Sequence, residues 1–219
     1  MIGLVIAMDS EAEILLEVME AENIRSRYGK PVHIGRAFGQ EVALVISGEG
    51  KVNAAAGACA AISKGADVIL NFGVAGGLVS GRCDVSEIYL IEKVVQYDFD
   101  IVQISGKPVG TLPNEADNFL PLTCPSSLDF ARRVLGTGDR FNDSPVDHKL
   151  LLELGCEIRE MEGGAIAQVC KYAGVPFVSV KAVSDVYGLG STTEQYKKNC
   201  KLAILNLKAH LPEILGALE

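Results

Sequence analysis

Three acids stand where side-chain chemistry is possible: Glu11, Glu162 and Asp185. Each lies at the end of an apolar run of β type: residues 2–7 before Glu11, 156–161 before Glu162 and 175–183 before Asp185. Carboxylates that hold or take protons are the working groups of general acid–base catalysis, provided they meet in one cavity. Taken singly, each also has an ordinary reading. Glu11 and Glu162 fit first-turn acids favoured by a helix dipole. Asp185 fits an N-cap or turn residue. Phe141, in Gly138-Asp139-Arg140-Phe141, is either a loop anchor packed on the core or a flat wall for a planar base.

Two glycine-rich segments fail the phosphate-loop patterns. Gly48-Glu49-Gly50-Lys51 lacks the earlier glycine and the following hydroxyl residue of a P-loop, with Val45 and Val52 in their places. Gly73-Val74-Ala75-Gly76-Gly77 misses GxGxxG, because Ala75 and Leu78 stand where glycines belong. Gly76 and Gly77 still allow a ligand to approach the backbone closely. His33, His148 and His210 are far apart, and the six cysteines include no CxxC, so no metal site is expected.

The elements that must position these residues alternate between strand and helix. Strand patterns cover 2–7, 31–38, 41–47, 67–72, 86–95, 156–161 and 175–183, with a hairpin turn at Gly39-Gln40. Helical patterns cover 11–21, 51–63, 127–135, 145–154, 163–173 and 192–218, the last broken or kinked at Pro212. Residues 97–125 hold several prolines and glycines and read as a long functional or interface loop. Such alternation implies one α/β domain around a mostly parallel sheet. Ligands of such sheets bind beyond the C-terminal strand ends, which here are Met8–Glu11, 71–78, 161–162 and 184–185.

Composition narrows the partners. The net charge of −8 argues against a nucleic-acid backbone as ligand. No run approaches the ~18 apolar residues of a spanning helix, and the first residues lack the basic start of a signal peptide. Cytoplasmic location is therefore expected, with the cysteines as free, mostly apolar-packed thiols.

Seven segments together resemble the 5′-methylthioadenosine/S-adenosylhomocysteine nucleosidases of the purine and uridine phosphorylase superfamily. They are IGLVIAMDSE (2–11), SGEGKV (47–52), NFGVAGGL (71–78), YDFD (97–100), GDRF (138–141), MEGGAIAQV (161–169) and VPFVSVKAVSD (175–185). The last two are the most specific, and all occur in the family's order. The resemblance implies a single α/β domain with a mixed, barrel-like central sheet flanked by helices, assembled as a homodimer. It implies Glu11 as the group that activates water and Asp185 as the acid that protonates purine N7. Glu162 would bind the ribose hydroxyls beside Met161. Phe141 would stack on adenine, and Asn142 would hold its edge through the backbone. Ser184 would position Asp185, with Ala75, Gly76 and Met8 completing the nucleoside pocket. No cofactor is implied; the partners are a small nucleoside and water.

The same resemblance favours hydrolysis over phosphorolysis, since Asp9, Glu11 and Glu13 would repel phosphate at the end of the first strand. Five positions depart from the family: Glu49 and Asn142 replace apolar residues, Val74 a frequent Ser, Lys181 a common Arg, and Ile104 stands near where a partner-subunit Phe often covers the 5′-substituent. The segment after Asp185 is short and shows no aromatic lid. The acid–base pair is untouched by these changes, and the 5′-substituent of the substrate is left open.

Overall fold

A computed structural model describes residues 1–19, 22–25, 28–141 and 143–218. In chain order the elements are β1 (Ile2–Ile6), α1 (Asp9–Leu16), β2 (Glu22–Arg25), β3 (Pro31–Ala37), β4 (Gln40–Ile46), α2 (Lys51–Ser63), β5 (Val68–Gly77) and β6 (Ile88–Gln96). There follow α3 (Val102–Ser105), β7 (Leu120–Pro121), β8 (Arg132–Thr137), α4 (Pro145–Glu153), β9 (Ile158–Glu160), α5 (Gly163–Ala173), β10 (Phe177–Val186) and α6 (Thr192–Gly216).

Five strands close on themselves. β5 pairs parallel with β10 and antiparallel with β9. β9 and β8 are parallel, as are β8 and β6, and β6 returns antiparallel to β10. β1 lies parallel to β5 and to β4, and β3 and β2 extend that edge as antiparallel strands. The single α/β domain with a mixed, barrel-like sheet is thus present. The mostly parallel sheet expected from alternation is not, because closing the barrel needs antiparallel joins on both sides of the β5–β10 pair.

Strands buried on both faces read as unbroken apolar runs, and β1 and β10 are buried at every position. Small residues bring α2 against β1 and β4. Ala54, Ala58, Ala60 and Ala61 are fully buried, and a Cβ on Gly57 would stand 2.8 Å from that of Ser47. α5 packs on α2, and α6 packs along β10.

Several expectations require correction. The helix expected over 127–135 is absent. Its second half belongs to β8, which is held between β6 and β9. The apolar spacing around Leu128, Phe130 and Leu135 is also compatible with a helix, but barrel closure demands a strand there. A Cβ on Gly136 would lie 2.2 Å from Leu151, so a side chain has no room where α4 crosses β8. α6 runs through Pro212 without a break. Leu207, Leu211, Ile214 and Leu215 are buried around it, and that packing offsets the lost backbone bond. Residues 97–125 are more ordered than a bare loop and include α3 and β7. All six cysteines are free thiols. Among the described residues no helix is long and apolar enough to cross a membrane.

Candidate active site

The C-terminal ends of β1, β5, β9 and β10 surround a cavity of about 400 Å³. Its lining includes all three carboxylates singled out by sequence, together with Met8, Ala75, Gly76, Phe141, Met161 and Ser184. Asn142 lies outside the described residues. A larger hollow of about 670 Å³ sits at the opposite strand ends, near Met1, Asp67 and Pro176. It has none of these buried acids, so the smaller cavity is the chemical one.

Glu11 is held by strand geometry. Its Oε1 accepts a hydrogen bond from the Val74 backbone N–H at 2.8 Å, and its Oε2 accepts from the Met8 N–H at 3.3 Å. The Met8 bond is the capping role expected of a first-turn acid; the Val74 bond ties the same carboxylate to β5. Gly73 makes the approach possible, since a Cβ there would stand 2.5 Å from Oε1. The Val74 departure from the family leaves this contact unchanged, because only the backbone is used. Glu11 is 3% exposed. Burial raises its pKa, against the opposing charge of Lys181 and the two N–H donors.

Asp185 is aimed by a β-bulge. The β10–β5 register shifts between Val183 and Asp185, so that Val183 faces Ala75 and Asp185 faces Gly76. Bulges of this kind re-aim side chains beside functional sites. The Ser184 hydroxyl donates to Asp185 Oδ1 at 2.7 Å. Oδ2 is buried without a hydrogen-bond partner. Burial is again the main reason the pKa rises, opposed by the Ser184 bond and the Arg159 charge. The carboxyl therefore has one oxygen fixed and one free to carry a proton.

Glu162 caps α5 and crosses to another element. Its Oε1 accepts from the Gly50 N–H at 2.8 Å, and Oε2 accepts from the Met161 N–H at 3.3 Å. Burial, then the neighbouring Glu160 charge, lifts its pKa well above the usual carboxylate range. Glu160 itself accepts from the N–H groups of Glu162 (2.9 Å) and Gly163 (2.7 Å) and pairs with Lys181 Nζ at 3.4 Å. Lys181 is thus one buried cation serving several acids. It lowers the pKa of both Glu11 and Glu162.

The loop bearing Phe141 is pinned by acids from two sequence segments, 97–100 and 138–141. Asp98 pairs with Lys51 Nζ at 2.5 Å and accepts from the Asp139 N–H at 3.0 Å. Asp139 accepts from the Lys51 N–H at 2.8 Å. Phe141 meets Tyr196 edge to face, with ring centroids 5.5 Å apart. Tyr196, from the start of α6, also donates to Met8 Sδ at 3.2 Å. The aromatic cover sought between Asp185 and α6 therefore comes from one turn further along. Glu49 is exposed at the cavity's edge. Ile104, on α3, is 89% exposed and does not line this chain's own cavity.

Comparison with known proteins decides the family. The model of the phosphorylase superfamily matches residues 1–216. The chain belongs to that superfamily. A curated relative from Marinomonas sp. (strain MWYL1) is 32% identical over 228 aligned positions, which cover 98% of this chain and 97% of the relative. That relative is a 5′-methylthioadenosine/S-adenosylhomocysteine nucleosidase, and the chain belongs with those nucleosidases. The enzyme class that follows is N-glycosyl hydrolase of purine nucleosides. A nucleosidase of the same description from Colwellia psychrerythraea 34H, solved with adenine, superposes with a TM-score of 0.89 at 28% identity, covering 99% of this chain and 95% of that one. The futalosine hydrolase of Helicobacter pylori also superposes at 0.89, with 23% identity over 98% of this chain and 97% of that one, a likeness of fold.

Sequence reading missed Arg159 and Glu160, weighed Lys181 only as a departure, and did not anticipate Tyr196. A signal for the first two was available: charged residues at two successive positions inside a short strand are expensive to bury without a task.

Proposed function

We propose that this enzyme hydrolyses the N-glycosidic bond of 5′-methylthioadenosine and S-adenosylhomocysteine, with Asp185 as acid and Glu11 as base. The observation that carries the reading is the pair of buried carboxyls at the ends of the two strands that flank β5, both lining one cavity and each with a raised pKa. Asp185 gives the proton on Oδ2 to purine N7, so adenine leaves neutral rather than as an anion. The C1′–N9 bond breaks as a water oxygen bonds C1′, and Glu11 takes the water's proton. The sugar gains oxocarbenium character in between. Glu162 hydrogen-bonds the ribose hydroxyls and, in its ionised form, stabilises that positive charge. Phe141 stacks on the base, with Asn142 at its edge. Ala75 and Gly76 form the floor, and Met8 and Met161 flank the sugar.

Hydrolysis is favoured over phosphorolysis because Glu11 lines the cavity at the end of β1, with Asp9 and Glu13 exposed on the same helix, so a phosphate dianion would be repelled there. No metal or cofactor enters the proposed chemistry. The six free thiols suit the reducing cytoplasm the proposal assigns. Incubation with 5′-methylthioadenosine, S-adenosylhomocysteine and adenosine, with and without phosphate, tests the reading. Adenine release from the two thionucleosides at equal rates in both buffers is expected. Release that requires phosphate would refute hydrolysis. Glu49 at the cavity's edge favours a second reading, in which a nucleoside with a different 5′-substituent is the better substrate.

A homodimer is part of the same proposal. The almost fully exposed Ile104 is an apolar side chain in want of cover, and the 97–125 segment would bring it over a partner's 5′-pocket. Sedimentation equilibrium is expected to give a dimer mass; a monomer at assay concentration with full activity would remove this element.

A further inference from the structure

Arg159 lines the cavity and has no part in the chemistry above. It is 7% exposed, and its Nη1 is buried with no hydrogen-bond partner. A guanidinium is always charged and donates only, so a buried one calls for an acceptor. Its place is defined by Gly76, its partner across the β5–β9 pair. A Cβ on Gly76 would stand 2.9 Å from Asp185 Oδ2 and 3.3 Å from Arg159 Nε. Asp185 Oδ2 is likewise buried and unpartnered. Two unpaired groups thus flank one glycine on the floor of the cavity, and they do not bond each other.

On the reading that Asp185 protonates purine N7, both groups act as donors toward the base. The atoms beside N7 are the C8–H, which offers no lone pair, and the substituent at position 6. A 6-amino group presents hydrogens to Arg159. A 6-oxo group presents lone pairs and matches the two donors side by side. We infer that Arg159 reads the 6-position of the purine and adds 6-oxopurine nucleosides to the substrates of this enzyme. The inference rests on the Asp185 assignment and extends it from the reacting nitrogen to the neighbouring edge.

The test compares 5′-methylthioinosine with 5′-methylthioadenosine, which differ only at the 6-position. In the unaltered enzyme, kcat/KM for the 6-oxo substrate is expected within about tenfold of the 6-amino one. Arg159→Met should lower the ratio of the two by about tenfold or more, the scale of a lost hydrogen bond to a charged donor. A ratio below one tenth in the unaltered enzyme, or one that Arg159→Met leaves unchanged, overturns the inference. Calorimetric titration with hypoxanthine and adenine reads the same preference without turnover. If the enzyme binds adenine but not hypoxanthine, Arg159 is not a reader of the 6-position. If it binds neither base and cleaves neither nucleoside, the nucleosidase reading itself fails, and this inference with it.

Discussion

Replacing Asp185 by Asn is expected to lower kcat for thionucleoside hydrolysis by about 10²–10⁴-fold, the usual worth of one positioned proton donor. Asn retains the size, and its carbonyl oxygen can still accept from Ser184, so the pocket is preserved. It has no acidic proton for N7. The variant should therefore bind adenine with little change while failing to release it from substrate. In the unaltered enzyme the alkaline limb of kcat/KM should report ionisation of Asp185, whose pKa burial raises above the ordinary 3.8. The substitution should move stability the opposite way from activity. The folded-state pKa lies above the ordinary 3.8, so the stability associated with protonated Asp185 is complete below that pH. It is lost as pH rises through the folded value. Asn carries no such penalty. The melting temperature of Asp185→Asn should exceed that of the parent by a margin that widens with pH and then levels off. A variant with parental turnover would end the assignment of Asp185 as acid.

Glu11→Gln is expected to have a loss of similar size, about 10²–10⁴-fold in kcat. The reason is different. Glu11 must be ionised to take a proton from water. Lys181 and two backbone N–H groups support the ionised form against burial. An amide offers one oxygen to two N–H donors that now hold both carboxylate oxygens, and its NH2 would face one of them. Adenine binding should survive, since Glu11 works on the sugar side. Loss of adenine affinity equal to the loss of turnover would mean that the substitution collapses the pocket. Turnover within a few fold of the parent would mean that Glu11 is not the base.

Much of the fold and of the cavity lining is legible in the sequence. The apolar runs that became β1, β5 and β10 were unambiguous because strands buried on both faces carry little else. The three acids line one cavity, as expected where ligands of α/β sheets gather beyond strand ends. Where reading failed, long-range pairing was responsible. β8 is a strand because β6 and β9 flank it, and no local feature of residues 127–135 announces those partners. The bulge at Ser184 is equally invisible in sequence, although it decides where Asp185 points. Arg159 was passed over because a charged residue next to a recognised segment reads as surface. Its burial appears only when Gly76 is set against it across the sheet. The segment after Asp185 shows no aromatic lid in sequence, and helical geometry delivers Tyr196 from the first turns of α6 instead.

The central claim is that water, prepared at Glu11, attacks as Asp185 releases the base. Running the reaction on 5′-methylthioadenosine in ¹⁸O-water with phosphate present tests it directly. The claim predicts free 5-methylthioribose with the label at C1 and no sugar phosphate. An unlabelled sugar 1-phosphate as the product would contradict it.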